Sequence, residues 1–519
     1  MKLKNSSYLF FALGILLSVG SCSDETLNVE PPKGTPLEEN YYQNEAEAYT
    51  GLIAVYDILN KQSGGFDNFI TMLNAGSDDH YAGGGSATDG AGMQSFSNYT
   101  ISSSTIPTSF WRHYFQGIFR TNTLLSKLPN IPMDAAKKMR FAAECKALRA
   151  YFHFELVRCF KNVPLITSLI PASEIYNITQ APPEAVYAQI EKDLSEAMSD
   201  LPFSISNTTT ESARWSKGTV KALLGKVYLN HFNLIENYDL PNPDNKDYQT
   251  LAAAEFAAVN GTPGGTSQYG YKLLSNFSDL WVISNKFNSE SILEISHTDQ
   301  GNTGWGNWGS GSDEGNSINQ MVGIRNYNRS SFSAPDFAAG WSFNPFTEAF
   351  YDIIKTDPRF TATIADLKTL EAEGKIEYEH GYQDTGYYLK KFMPMKSDFS
   401  TGGGNGELNY KQNVYAIRLA DTYLMEAEAL GATGPRAQAL LDAVRARVGL
   451  PSTPVSLDAI IAERRLELAG EGHRWMDLVR TGRAATVLAS RGFIAGKHEI
   501  WPIPLKELEN TQIVQNPNY

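Results

Sequence analysis

Cysteine is nearly absent from this chain: of its 519 residues only Cys22, Cys145 and Cys159 carry a thiol. Three are too few for a disulfide framework. Cys145 and Cys159 fall on one predicted helix, and fourteen residues at ~1.5 Å each put them ~21 Å apart, beyond the ~7 Å reach of a bridge. Both read as small buried hydrophobes. Basic charge is also scarce. The formal net charge is −13, which disfavours nucleic acid and other polyanions as partners. Past residue 19 no run of about 18 apolar residues occurs, so no later segment reads as a spanning helix. Histidine is sparse, at eight residues, and falls in no His-Glu-x-x-His pattern. Gly-x-Ser-x-Gly and Walker loops are missing too. With these gaps the chain is not expected to be an enzyme.

What is there begins at the N-terminus. Lys2 and Lys4 precede an apolar stretch at residues 8–19, too short to cross a ~30 Å hydrocarbon core. It closes on Val19-Gly20-Ser21-Cys22. This resembles a bacterial lipobox, which makes residues 1–21 a signal peptide and Cys22 the lipid-attachment site. A lipid on Cys22 anchors a protein to a membrane without crossing it. Ser23-Asp24-Glu25 resemble the export signal of surface lipoproteins, so the expected address is the outer face of an outer membrane. Residues 22–34 then form a polar, proline-containing tether.

Amphipathic helical patterns recur beyond the tether. They are expected over residues 45–60, 111–128, 134–160, 183–199, 216–232, 412–430, 435–448, 457–470 and 474–481. Asp134 is the expected N-cap of the longest. Gly218, Ala222 and Gly225 allow close helix approach within residues 216–232. A strand pattern suits residues 291–297. Two long stretches rich in Gly, Ser and Asn, residues 63–107 and 260–345, interrupt the helices, and loops of that length are usually functional. The expected fold is mainly α: tetratricopeptide-like helical hairpins with long loops and a few short strands. Two portions are expected, residues 35–260 and 261–519.

Particular segments carry a family resemblance. They are residues 37–42 (LEENYY), 45–56 (EAEAYTGLIAVY), 144–156 (ECKALRAYFHFEL) with Asn162-Val163-Pro164-Leu165, and 214–229 (RWSKGTVKALLGKVYL). The C-terminal portion adds 417–429 (IRLADTYLMEAEA), 444–450 (VRARVGL), 463–479 (ERRLELAGEGHRWMDLV), 501–504 (WPIP) and 515–519 (QNPNY). Together they resemble the SusD/RagB-like outer-membrane nutrient-binding lipoproteins. The resemblance implies a helical, non-catalytic protein that captures an oligosaccharide and hands it to a partner SusC-like TonB-dependent transporter. In RagB-like members the cargo is peptide, which is the alternative reading; a surface hydrolase is a remote one. The two long loops match no family segment.

Sugar rings expose apolar C–H faces that stack on aromatic rings, and their hydroxyls seek amide, carboxylate and guanidinium partners. Two segments offer both. Residues 74–81 (NAGSDDHY) gather Asp78, Asp79, His80 and Tyr81. Residues 304–309 (GWGNWG) set Trp305, Asn307 and Trp308 among glycines, and indoles three residues apart in such a loop can face one side. Arg325 and Tyr327 offer a hydroxyl clamp downstream. Trp111, Trp341 and Trp475 read as core, and Trp281 is undecided. The charge cluster Glu463, Arg464, Arg465, Glu467, Glu471, Arg474 and Asp477 reads as helix bracing rather than paired catalytic acids. No cofactor is expected. Asp239, Asp244, Asn245 and Asp247 loosely outline a calcium loop but lack its glycine and terminal glutamate, leaving a structural calcium as an open option.

Overall fold

The computed structural model describes residues 41–309 and 314–519. The leader, Cys22 and the tether lie outside the described residues. Helix α1 spans Glu45–Tyr56 and tightens into a 3-10 segment, Asp57–Gln62. Then come α2 (Phe69–Gly76), α3 (Ser109–Lys127), α4 (Ala135–Phe160), α5 (Pro183–Ala197), α6 (Lys217–Tyr238) and α7 (Tyr248–Asn260). Strands β1 (Ser291–Ile295) and β2 (Val414–Arg418) pair antiparallel. Helices α8 (Leu419–Ala429), α9 (Gly434–Arg447), α10 (Leu457–Glu467) and α11 (Arg474–Arg480) follow.

Local chemistry sets these boundaries. Asp134 caps α4 by accepting from the Lys137 N–H at 2.9 Å, and Ser216 and Asp247 cap α6 and α7 in the same way. Residues 412–418, expected as helix, are extended instead. Val414, Tyr415 and Ile417 are β-branched or aromatic, and their backbone completes the ladder of β1, which otherwise has no partner. The loop-like stretch at residues 63–107 holds α2 and a further short helix, Ala91–Ser97.

Neighbouring helices pack in pairs, α3 on α4, α4 on α5, α6 on α7, and α8 on both α7 and α9. Close approach has a stated cause on α6: a Cβ at Gly225 would sit 2.9 Å from the Phe256 ring. Trp501, fully buried, is ringed by Phe69, Phe96, Phe110, Phe160 and Trp475 at centroid separations of 4.9–5.9 Å. Trp111, Trp475, Cys145 and Cys159 are core. Trp281 is half-buried beside Phe277, Phe392 and Tyr415.

The C-terminal charges form a buried lattice. Arg418 reaches Glu290, Glu467 and Glu471 at 2.5–3.0 Å, Arg359 reaches Glu463 and Glu467 at 2.6–3.0 Å, and Arg464 reaches Asp421 and Asp477 at 2.7–2.8 Å. These groups are almost entirely shielded from solvent. Removing one partner strands the other, so the lattice ties β2, α8, α10 and α11 together. At the acidic turn after α6, Asp239 is the helix C-cap, Asp247 caps α7, and the Lys246 ammonium reaches Asp244 at 3.5 Å and Glu191 at 2.8 Å. Among the described residues no group of three or more His, Cys, Asp or Glu side chains is placed to hold a metal ion.

Candidate functional site

The Gly-Trp-Gly-Asn-Trp-Gly segment folds as one tight turn. The Asn307 and Trp308 N–H groups both donate to the Gly304 carbonyl, at 3.1 and 3.0 Å, and the Gly304 N–H donates to Asn307 Oδ1 at 2.7 Å. Asn307 therefore holds the turn that presents the indoles. Trp305 and Trp308 lie edge to face with centroids 5.9 Å apart. A third indole joins them: Trp341 lies 5.8 Å from Trp305 and 5.3 Å from Trp308. Phe66 backs the cluster, 5.9 Å from Trp341, 6.2 Å from Trp308 and 5.3 Å from Phe343. Trp305 is 53% exposed, while Trp308 and Trp341 are half-buried. Trp341 is thus part of the exposed cluster rather than core.

Hydrogen bonds fix the ring directions. Trp308 Nε1 donates to Ser317 Oγ at 3.0 Å, and Ser317 Oγ also accepts from the Gly65 N–H. Trp305 Nε1 donates to Glu407 Oε1 at 3.2 Å. A cavity of about 380 Å³ opens beside Trp308, lined also by Phe66, Asp67, Arg112 and His113. Burial raises the Asp67 carboxyl above its ordinary range, against the charge of Lys61.

Arg325 borders this region. Its backbone N–H donates to the hydroxyl of Ser342, the residue after Trp341, and its guanidinium pairs with Asp89 at 2.8 Å. Asp89 also accepts from the Gly85 N–H, and Gly90 packs on Phe66 and Phe343, so the glycine loop is bound to the cluster. Tyr327 does not join Arg325. It is buried against Phe337, its hydroxyl donates to the Pro335 carbonyl at 2.6 Å, and burial pushes that hydroxyl up to about 12.

The Asp78–Tyr81 segment turns inward as well. Arg474 holds Asp78 through two hydrogen bonds at 2.8 and 3.0 Å, and Arg465 bridges Asp78 and Asp79 at 2.6–2.8 Å. Burial acts to raise the Asp78 carboxyl, but the bonds and charge of Arg474, then the charge of Arg465, outweigh it and hold that group below its usual range. Asp79 is fully enclosed and burial leaves it raised. His80 stacks on Phe346 at 4.0 Å, and burial lowers its imidazole to about 3. Tyr81 lies under the Arg491 guanidinium at 5.1 Å. Asp78 and Asp79 are an arm of the buried lattice and His80 is enclosed beside them, which corrects the expectation that these three form a ligand surface, while Tyr81 stays half-buried. Phe66, Asp89 and Trp341 are the site residues that sequence reasoning missed. The signal for Phe66 was present, an aromatic next to Gly64-Gly65 in a pattern like that around Trp305.

With this geometry, the chain belongs to the SusD family. The family model described as "SusD family" matches residues 289–496, and a second, described as "Starch-binding associating with outer membrane", matches residues 50–229. No helix among the described residues is long and apolar enough to cross a membrane. A solved structure titled laminarin binding SusD-like protein is 60% identical, with a TM-score of 0.88, covering 92% of this chain and 100% of that one. Surface glycan-binding protein A from Bacteroides thetaiotaomicron is 25% identical with a TM-score of 0.79, again over 92% and 100%. SusD-like protein P38 of Formosa agariphila is 25% identical over 100% of both chains.

Proposed function

We propose that this protein is a lipid-anchored capture protein at the cell surface. It holds a glycan of the laminarin class on the Trp305–Trp308–Trp341 cluster and passes it to a SusC-like TonB-dependent transporter. One observation carries the reading: three indoles converge on one partly open surface, each fixed by a ring contact or a hydrogen bond to a neighbouring loop. Rigid rings lose little freedom when a sugar face settles on them, so stacking gives net affinity. The name of the 60% identical relative supports the ligand class.

The role assigned is capture without bond cleavage. The close carboxylate pairs that could suggest hydrolysis, Asp78/Asp79 and Glu467/Glu471, are all engaged by arginines. A general acid needs a carboxyl that exchanges its proton with substrate. A peptide groove would instead offer unpaired backbone edges, and the indole surface offers rings.

The test is affinity electrophoresis and calorimetry against laminarin, other neutral glycans and peptides. Laminarin should retard the protein, and the Trp305→Ala/Trp308→Ala double variant should migrate freely while still unfolding cooperatively, at a melting temperature lowered by the loss of the half-buried Trp308 ring. Retention unchanged by the double substitution, or a preference for peptides, would remove this reading.

A further inference from the structure

We infer that the indole cluster is one end of a longer groove, and that a second ring-bearing subsite, formed by Phe203, Tyr269 and Tyr271, takes a further stretch of the same neutral glycan chain. This rests on the capture reading above.

The groove is built from three adjoining cavities. The first, at Trp308 and Phe66, shares Asp57 and Asn60 with a second of about 520 Å³. The second shares Ala213, Arg214 and Glu294 with a third of about 280 Å³, walled by Tyr269, Tyr271, Ser204, Ser212 and Thr219. One face of α1 and its 3-10 extension forms the middle floor, through Tyr49, Ile53, Asp57 and Asn60. Eight α-helical steps at ~1.5 Å and three 3-10 steps at ~2.0 Å make that floor about 18 Å long, an extended run rather than a single pocket. Tyr49 and Ile53 leave 36% and 42% of their surface open along it.

The far end offers one open ring, Phe203 at the rim of the third cavity, backed by Tyr269, which is only 9% exposed. Phe203 is 49% exposed and stacks on Tyr269 at 4.5 Å and 29°, and Tyr271 lies 6.2 Å from Tyr269. Gly218 seats these rings: a Cβ there would lie 2.7 Å from the Tyr271 hydroxyl and 3.0 Å from the Tyr269 ring. Trp215, in the wall of the third cavity, has an Nε1 donor without a hydrogen-bond partner among the described residues.

In the second and third cavities, paired charge on the walls favours a neutral ligand. Asp57 is matched by Arg120 at 3.2 Å, Arg214 by Glu144 and Glu211 at 2.6 Å, and Glu294 accepts from the Phe287 N–H and the Asn413 amide. Ions already matched in this way gain nothing from a charged ligand, whereas hydroxyl-bearing walls between ring surfaces suit a neutral sugar chain.

The experiment is calorimetry on the full chain with a short laminari-oligosaccharide, a long one and the polymer. The parent is compared with Phe203→Ala at the exposed far ring, Ala213→Trp at the junction of the second and third cavities, and Trp305→Ala. The parent should bind the long ligands about tenfold more tightly than the short one, the gain expected from a second covered ring face. Phe203→Ala and Ala213→Trp should lose that gain and keep the short-ligand affinity. Trp305→Ala should weaken both. A parent without length dependence, or a gain that survives in Phe203→Ala, overturns the inference and leaves the capture reading standing. Failure of the parent to bind even the short oligosaccharide overturns the capture reading itself. Phe203 is exposed, so that variant remains decisive should Ala213→Trp fail to fold.

Discussion

Replacing Trp305 with alanine isolates the surface that a sugar would cover. Trp305 is 53% exposed, so of a side chain of ~200–250 Å² about 120 Å² is available. A pyranose resting on one indole face covers about half of that area. At ~25 cal/mol per Å², ~60 Å² amounts to about 1.5 kcal/mol, roughly a tenfold rise in Kd. Stability should change little. The indole makes one hydrogen bond, to the Glu407 carboxylate at 3.2 Å, meets Trp308 edge to face and lies tilted at 36° to Trp341, with about half of its surface open. The variant is therefore expected to melt within a few degrees of the parent. Calorimetry with a laminari-oligosaccharide, paired with thermal denaturation, separates the two quantities. Binding within twofold of the parent would refute the placement of the ligand on this ring. A large fall in melting temperature would refute the claim that Trp305 is held out rather than packed in.

Further outcomes follow from the same structure. Trp341→Ala removes a half-buried ring that touches Trp305, Trp308 and Phe66, so it should weaken glycan binding and also cost about 2 kcal/mol of stability, read by urea unfolding. Arg465→Ala leaves the Asp78 and Asp79 carboxylates short of a partner and should cost about 3 kcal/mol while glycan affinity stays at the parent's value; lost binding in a folded variant would restore these aspartates to the site. Tyr327→Phe deletes the bond to the Pro335 carbonyl and should cost about 1 kcal/mol with no change in calorimetry. Stability should begin to fall as the pH drops below ~6.5. Burial holds His80 and His153 at about 3, so below pH ~6.5 only the unfolded chain takes up their protons, and each costs ~1.4 kcal/mol per pH unit down to its folded value. Asp477 works in a lower window. Despite burial, Arg464 and Arg480 depress it to about 2, so its contribution is complete above ~4 and disappears as pH falls through that folded value. Urea midpoints that do not move between pH 7.5 and 5 would contradict the histidine assignment.

The sequence by itself determined the helical frame. Three-to-four spacing of apolar residues and caps such as Asp134 act over a few residues, and a local signal survives in one dimension. It likewise determined that the 463–477 charges brace helices, because mixed signs at helical spacing already describe a packed face. It determined that residues 304–309 close as a tight turn on their own hydrogen bonds, whereas the ring directions of Trp305 and Trp308 depend on Glu407 and Ser317. What only the tertiary structure decided involves partners far apart in the chain. Asp78 and Asp79 look like an open acidic turn until Arg465 and Arg474, nearly four hundred residues on, bury them. Residues 414–418 become strand only because residues 291–295 need a partner. Trp341 and Phe66 read as ordinary hydrophobes until folding sets them beside the Gly-rich turn. Burial and charge pairing are properties of the assembled neighbourhood, and they choose which of the chemically suitable residues remain open to a ligand.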